Sequence, residues 1–269
     1  MTTGKPFAVV PHDLGTIDGV GNEKANRPAS HAGEFKNPGM IWESSGASDV
    51  WVRGDFGSAK AIDFLGLIAT NATAATTMRL RLGDDATEVN GSADYDSGAQ
   101  LIRNPAVTRE DGIYHGHFEL PALTVKQWWR LDIGSHTGDF GNMAIVLGQK
   151  RQFVDFYNGG PDGFEFGDED MGDIELGRYG VVSETEGLML RTLKMNFGWM
   201  SNSDRIAKFA PLSRTLGLRN VALWCFNPEA TSERQNKTYF GWLTELPRFK
   251  PSTWKQDRFT VPFEIRSMI

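Results

Sequence analysis

The His115-Gly116-His117 run is one of the few places in this chain where residue type and spacing suit chemistry. Residues two apart in a β-strand point to the same side, so the two imidazoles could share a metal ion. A metal site needs at least one further ligand. His31 and His136 are available, although nothing in the sequence brings them close. The alternative is a pair of exposed strand histidines.

The carboxylates of residues 162–175 form an acidic run that is interleaved with glycines and contains no basic residue. As hard oxygen ligands they suit calcium, but their spacing does not match an EF-hand loop. A solvated loop is the second interpretation, and an electrostatic contact between subunits is the third. In that contact one copy would meet the next head to tail, and a ring results if the rotation closes. The residues proposed for the contact are Asp168, Glu169 and Asp170 on one side and Lys255 and Arg258 on the other.

Several aromatic and polar residues could form a glycan site, because a flat apolar ring complements the face of a sugar. Four tryptophans are candidates for such a platform: Trp42, Trp51, Trp128 and Trp129. Trp128 and Trp129 are adjacent on one predicted strand. One of these two rings therefore faces the core and the other faces outward. Core packing or a subunit interface is the alternative. The residues selected for a glycan site or an interface are Trp42, Trp129, Asp84, Asp85 and Tyr95. The two aspartates could orient a sugar or a calcium ion, and they equally suit tight turns.

The sequence contains no nucleophile elbow, P-loop or zinc-protease helix motif. Glycoside hydrolysis requires two carboxylates that face each other across a cleft, and no segment singles out such a pair. Cys225 lies in an apolar strand, which predicts an inert buried thiol. We therefore predict no catalytic residue and no cofactor. A polysaccharide-cleaving enzyme is the third-ranked function.

Composition sets the class of protein. The chain has 269 residues, of which 40% are hydrophobic and 23% are charged, as in soluble globular proteins. A net charge of -6 argues against general nucleic-acid binding. Cys225 is the single cysteine, so no intrachain disulfide can form, which fits assembly in a reducing cytoplasm. We expect no secretory signal and no membrane insertion, because the longest apolar runs are far too short.

Alternating apolar residues predict β-strands in the first half. The segment from Asp49 to Leu82 is interpreted as three strands, with Gly57-Ser58 and Asn71-Ala72-Thr73 as the turns between them. Shared parity places Ile62, Phe64 and Ile68 on one face of their strand. It also places Arg79 and Arg81 opposite the face of Met78, Leu80 and Leu82.

The second half combines short strands with one predicted helix between Ser203 and Leu216. Ser203 is the expected N-cap, and Gly217 suits the C-terminal cap. Pro211 is expected to kink the helix or to split it into two turns. The last strand contains Pro262, which has no N–H for a ladder, so this strand is predicted to lie at a sheet edge.

A set of short segments in the first half follows the order and turn chemistry of a known family. They are DFG (55–57), IDF (62–64), MRLRLGDDA (78–86), YDSG (95–98), WWRLDI (128–133) and MAIVLGQ (143–149). Together they resemble the galactose-binding-like, or discoidin-like, jelly roll of tail-tip proteins from tailed phages and prophages. The second half resembles the partner domain of those proteins, through VALWCFNPE (221–229) and the Thr-Tyr-Phe-Gly strand at 238–241.

The resemblance implies a structural component of a phage tail tip or baseplate, such as the distal-tail kind. Its partners would be copies of itself in a ring and neighbouring tail proteins, in a virion assembled in the host cytoplasm. The alternative is a carbohydrate-binding module that attaches the particle to cell-surface glycan. The predicted fold is mainly β with two β-sandwich domains. Residues 1–150 form the jelly roll, and residues 151–269 form a smaller sandwich or barrel with one helical segment.

Overall fold

The computed structural model of the chain is mainly β, with 52% strand and 11% helix in a sandwich-like architecture. This confirms the predicted fold class. The structure describes residues 6–153, 163–176, 182–228, 237–251 and 258–268. Contacts divide the chain into two compact units. Unit 1 comprises Met1–Gln152 with Leu223–Thr238, and unit 2 comprises Phe153–Ala222 with Tyr239–Ile269. The sequence predicted one domain boundary, at residue 150. It did not predict that Leu223–Thr238 returns to unit 1.

The described residues form eighteen strands. They are β1 (Phe7–Val9), β2 (Thr16–Val20), β3 (Trp42–Glu43), β4 (Val50–Thr70), β5 (Thr77–Gly83), β6 (Tyr95–Asp96), β7 (Gln100–Leu101), β8 (Tyr114–Gly134), β9 (Gly141–Gly148), β10 (Lys150–Gln152), β11 (Phe164–Asp170), β12 (Asp173–Leu176), β13 (Val182–Thr185), β14 (Met189–Ser201), β15 (Ala222–Cys225), β16 (Thr238–Leu243), β17 (Lys250–Pro251) and β18 (Arg258–Ser267).

Helices are short. They are a 3-10 helix (Ala29–Gly33), α1 (Ala86–Asn90), α2 (Asn202–Asp204), a π-helical turn (Arg205–Phe209) and α3 (Ala210–Leu216). Within the described part of the chain, no helix has the length and apolar character needed to cross a membrane.

β4 and β8 are the longest strands of unit 1, and they pair antiparallel over most of their length. At one end Val50 lies opposite Ile133, and there the pair is flanked by β2 and β5. At the other end Thr70 lies opposite Tyr114, and β9 pairs with β4. One hydrophobic cluster takes side chains from both ends, including Val52, Leu67, Leu131 and Leu147. The two ends of this pair therefore form the two layers of one sandwich.

The ladder between β4 and β8 is interrupted between Asp55 and Lys60. Gly57 lies in the interruption with a φ of +72°, which glycine adopts without steric cost. Its N–H donates to Asp55 Oδ1 at 2.7 Å. The predicted turn between two strands at Gly57-Ser58 is therefore wrong, since the chain bends here within one continuous strand. Such irregularities bend a strand and increase its twist, so that β4 contributes to both layers.

A second register shift, between Ile62 and Phe64, reverses which parity of β4 faces the core. Ile62 belongs to the core cluster, but after the shift Leu65 and Leu67 take that role. The prediction that Ile62, Phe64 and Ile68 share one face is therefore wrong. A slip of a single residue moves every later side chain to the other face of the sheet.

The second face of this part of β4 is also buried, by strands of unit 1 that lie over it. β1 pairs antiparallel with β10 and with β15. Phe7 of β1 packs edge-on against Phe64, with 5.4 Å between the ring centroids. A Cβ atom on Gly66 would lie only 3.2 Å from Leu223 Cδ1, so the glycine leaves room for β15. Burial on both faces explains the continuous apolar run from Phe64 to Ile68.

Unit 2 contains the strand order β16-β18-β14-β11, with β17 also paired to β18. Four phenylalanines join its elements. Phe153 stacks on Phe197 of β14 at 4.5 Å and on Phe209 of the π-helical turn at 5.1 Å. Phe263 of β18 lies 5.7 Å from Phe197 and 6.0 Å from Phe209. These rings anchor the helical segment to the sheet, and Leu212 and Leu216 bury its remaining apolar face.

The helical segment follows the prediction with two adjustments. Ser201 caps it instead of Ser203, since its hydroxyl accepts from the Asp204 N–H at 3.1 Å. The turn before Pro211 has π geometry, in which the Ala210 N–H donates to the Arg205 carbonyl oxygen five residues earlier. Gly217 ends the segment with a φ of +53°, as predicted.

The prediction that the last strand lies at a sheet edge is wrong. β18 pairs with β14 on one side and with β16 and β17 on the other. Pro262 lies between the stretch that pairs with β17, which ends at Thr260, and the stretch that pairs with β16, which begins at Ile265. The missing N–H therefore falls at a gap in the ladder and removes no hydrogen bond there.

Asn142 of β9 provides a test of the packing in unit 1. It is fully buried, and among the described residues neither Oδ1 nor Nδ2 has a hydrogen-bond partner. An unsatisfied buried polar group costs about 1–3 kcal/mol. We predict that Asn142→Leu raises the free energy of unfolding by about 1–2 kcal/mol in urea denaturation, while Asn142→Ala, which leaves a cavity, gains less. A loss of stability in Asn142→Leu would contradict this prediction.

Candidate functional site

The two strand histidines do not form a metal site. His115 and His117 are both buried, so the expectation of exposed strand histidines is also wrong. His115 Nδ1 accepts a hydrogen bond from the Ala69 N–H at 3.0 Å, and His117 Nε2 lies 3.0 Å from Thr238 Oγ1. Each imidazole therefore has its own structural partner.

The other two candidate histidines also serve the fold. His31 Nδ1 lies 3.2 Å from the Ile41 carbonyl oxygen. His136 is buried, and its Nδ1 lies 2.9 Å from Thr76 Oγ1. Neither residue belongs to a three-ligand group in the described part of the chain.

Trp42 and Trp129 cannot form a sugar-stacking platform, because both rings are fully buried. Trp42 packs edge-on against Phe140 at 5.7 Å. The Trp129 indole N–H donates to the Leu14 carbonyl oxygen at 3.1 Å. This corrects the glycan interpretation of these two residues and supports core packing. Trp128 is only half-buried, so the adjacent pair divides between core and surface as predicted.

The loop candidates Asp84, Asp85 and Tyr95 also have structural partners. Asp85 caps α1, since its Oδ1 accepts from the Thr87 and Glu88 N–H groups at 2.7 and 2.9 Å. Asp84 Oδ2 accepts from Lys126 Nζ at 2.7 Å. Tyr95 packs against the core cluster, and burial raises the pKa of its hydroxyl.

Asp84, Glu88 and Asp94 form the one group of three candidate metal ligands in the described residues, with their carboxylate oxygens within 4.8 Å of one another. Lys126 lies among them and pairs with Asp84 and Asp94. Hydrogen bonds to these two aspartates raise the pKa of Lys126 above its ordinary value. The lysine ammonium therefore offsets part of the negative charge of this cluster.

The described residues include only some of those predicted to form the head-to-tail contact. Asp168 and Asp170 are exposed, but Glu169 accepts from Arg266 of its own chain at 2.6 Å. Arg258 lies in β18 opposite Ser201, and Lys255 lies outside the described residues.

The outer face of β4, β8 and β5 carries a network of tryptophan, arginine and aspartate. The Arg130 guanidinium carbon lies 4.1 Å from the centroid of the Trp51 ring, and its Nη2 donates to Asp132 at 2.8 Å. Asp132 also accepts from the buried Arg81 at 2.7 Å. Because Arg81 pairs with Asp132 and Arg130 packs on Trp51 across strands, the network stabilises this face of the sheet.

An open cleft of about 330 Å³ lies beside β2 and the 3-10 helix. The ladder between β2 and β4 has an irregularity between Ile17 and Gly19, which leaves Asp18 without a partner residue on β4. Bulges of this kind redirect a side chain. Asp18 lines the cleft, and its Oδ2 accepts from Arg53 Nη2 at 2.5 Å.

A second carboxylate in the cleft is held by a different element. Glu23 Oε2 accepts from the Ala29 N–H at the start of the 3-10 helix, at 2.7 Å. Ile17 and Val20 pack partly against the core and supply an apolar wall together with Pro28. The residues that line the cleft, all of them described, include no lysine or arginine. The cleft thus combines acceptors at preset positions with apolar surface, which suits an uncharged ligand with several hydroxyl groups.

Sequence reasoning missed this cleft. Asp18 and Glu23 belong to a segment rich in glycine and polar residues, the composition of ordinary turns. The bulge that turns Asp18 toward the cleft depends on its register with β4, which is distant in the chain. No local pattern distinguishes these two carboxylates from those in turns.

Comparison with known proteins gives structural neighbours only. No family model matches the chain, and no curated protein matches it. SpGH29 is similar at 16% identity with a TM-score of 0.39, over 52% of this chain and 28% of that chain. The lectin domain of lectinolysin complexed with Lewis B antigen is similar at 7% identity with a TM-score of 0.36, over 51% and 94%.

A third neighbour is CBM32-1 from a family 31 glycoside hydrolase of Clostridium perfringens. It is similar at 10% identity with a TM-score of 0.36, over 52% of this chain and 96% of that chain. The neighbours of the chain thus include a lectin domain and a carbohydrate-binding module. Identities and TM-scores this low assign no ligand to the present cleft.

The burial of His136 makes the stability of unit 1 depend on pH, and this dependence can be tested. Burial lowers the pKa of its imidazole below the ordinary value of about 6.5. The unfolded chain therefore binds this proton more tightly than the folded chain. The resulting contribution to stability is complete above about pH 6.5 and is lost as the pH falls toward the lower folded-state pKa.

We predict that His136→Gln removes this part of the pH dependence. Urea unfolding of the wild type and the variant, measured from about pH 7.5 to about pH 5, isolates the histidine as a difference between the two curves. A constant difference across this range would contradict the prediction.

Proposed function

We propose that unit 1 is a non-catalytic carbohydrate-binding module and that the cleft beside β2 holds one neutral sugar residue. One observation carries the proposal. Asp18 and Glu23 are held by separate elements, the bulge of β2 and the start of the 3-10 helix, and both line one cleft with an apolar wall. The cleft beside β2 takes the place of Trp42 and Trp129 as the proposed glycan site.

The chemistry of the lining selects the class of ligand. Each carboxylate uses one oxygen in a hydrogen bond within the protein and can accept sugar hydroxyls at its other oxygen. The C–H face of a pyranose fits against Ile17, Val20 and Pro28. Asp18 already pairs with Arg53, and Glu23 keeps the lining acidic, which disfavours sialylated or sulfated sugars. The volume of about 330 Å³ is at the small end of ligand sites and suits a single sugar residue.

A glycan array followed by calorimetry tests this function. We predict binding to neutral glycans, with sialylated and sulfated forms as the comparison set. Asp18→Ala and Glu23→Ala are each expected to weaken binding about tenfold or more, because a hydrogen bond to a charged group contributes about 1.5–3 kcal/mol. The expected assay for released reducing sugar is negative.

Glu110→Ala is the matched control, since Glu110 is an exposed carboxylate of unit 1 that does not line the cleft. The proposal fails if no glycan binds above background, or if binding survives both cleft substitutions. Sugar release that depends on Asp18 or Glu23 would instead support a cleaving enzyme.

As a second function we propose a structural component of a phage tail tip that docks onto copies of itself, and an observation in unit 2 supports the docking. Four apolar side chains are exposed between residues 166 and 189: Phe166, Met171, Leu188 and Met189. Contact with another protein would remove them from water. The two functions are compatible, because the sugar cleft belongs to unit 1.

A further inference from the structure

The segment around the β11–β14 pair is an acidic arm, defined as residues 163–176 and 182–190. β11 pairs with β14. β12 and β13 follow β11 and precede β14 in the sequence, and they pair with each other. These described residues include no lysine or arginine. Their carboxylates are Glu165, Asp168, Glu169, Asp170, Asp173, Glu175, Glu184 and Glu186.

The acidic arm also exposes apolar surface and an open sheet edge. Leu188 is 71% exposed, Phe166 is 69% exposed and Met189 is 63% exposed. Phe166 lies in β11, which ends the strand order of unit 2, and no other described strand pairs with its outer edge. Exposed apolar groups beside unpaired backbone groups are typical of a surface that receives another chain.

Unit 2 carries a surface with the opposite charge, the basic helical face, defined as residues 202–220. Arg214 and Arg219 are exposed there, and Asp204 is its single carboxylate. That carboxylate already pairs with Lys208 at 3.1 Å. Apolar groups accompany the charges here too, since Ile206 is 58% exposed and Leu218 is 49% exposed.

We propose that the acidic arm of one copy docks on the basic helical face of a second copy. This inference rests on the second proposed function and names its two surfaces. Both surfaces combine apolar side chains with charge, and their charges are opposite, which favours the encounter and selects the partner. Each is exposed within its own chain, so the complementary surface comes from another copy.

The same charges determine the geometry of the contact. Two acidic arms repel each other, so the symmetric pairing of identical β11 edges is disfavoured. A contact between unlike surfaces is heterologous and builds a ring or an open chain. The basic helical face is taken as the partner surface because Lys255 lies outside the described residues, and a contact through Lys255 and Arg258 stays a prediction.

Complementary charge reversal tests the contact by sedimentation at low salt. Asp173→Lys with Glu175→Lys halves the net negative charge of the arm, because six carboxylates and two lysines then remain. Arg214→Glu with Arg219→Glu reverses the helical face, where two basic residues then stand against three carboxylates. The wild type is expected to exceed the monomer mass of 29.8 kDa as concentration rises. Each double variant alone is expected to associate at least about tenfold more weakly. An equal mixture of the two should form a heterodimer, since the unchanged arm of one variant meets the unchanged helical face of the other.

Two matched controls accompany these variants. Glu34→Lys with Glu110→Lys reverses two exposed carboxylates of unit 1, and Leu123→Ser is the control for Leu188→Ser. The controls should associate as the wild type does, whereas Leu188→Ser should weaken association. A wild type that stays monomeric, variants that associate normally, or a mixture that stays monomeric would each overturn the proposal. Glycan binding by the same variants tests the sugar cleft independently.

Discussion

The antiparallel pairing of β4 with β8 is the constraint on which unit 1 depends. Because this one pair extends through both layers, its irregularities decide which side chains reach the core. The interruption after Asp55 bends the pair, and the shift before Phe64 exchanges its faces. β9 and β5 then complete the layers on either side, while β1 and β15 cover the face that the shift turns outward.

The candidate sites lie where regular pairing ends. The bulge of β2 directs Asp18 into the cleft beside the 3-10 helix, and the start of that helix orients Glu23 beside it. In unit 2 the open edge of β11 leaves Phe166 exposed. Within regular ladders, by contrast, tryptophans and charged residues find partners in the same sheet, as Trp51, Arg130 and Asp132 do. Binding surfaces on such a scaffold therefore arise from departures from the ladder.

Much of the fold could be predicted from the sequence, because strand alternation is a local signal. It predicted correctly that Met78, Leu80 and Leu82 share one face of their strand, which is buried. It also predicted correctly that the strand containing Cys225 is buried. The site could not be predicted, because register is not local. One shifted residue moves Phe64 out of the core cluster, and one bulge selects Asp18 among many aspartates. Trp42 and Trp129 misled the prediction because a tryptophan has the same local sequence signature whether it packs inside or faces a ligand.

The return of residues 223–238 to unit 1 has a consequence for synthesis on the ribosome. β1 pairs with β15, and residues 153–222 of unit 2 are made between the two strands. Domains generally fold as they leave the ribosome, from the N-terminal end. Here β1 can pair with β15 only after Cys225, the partner of Phe7, has been made. Until then the outer face of Phe64 stays uncovered, so the growing chain carries an apolar surface that chaperones would recognise.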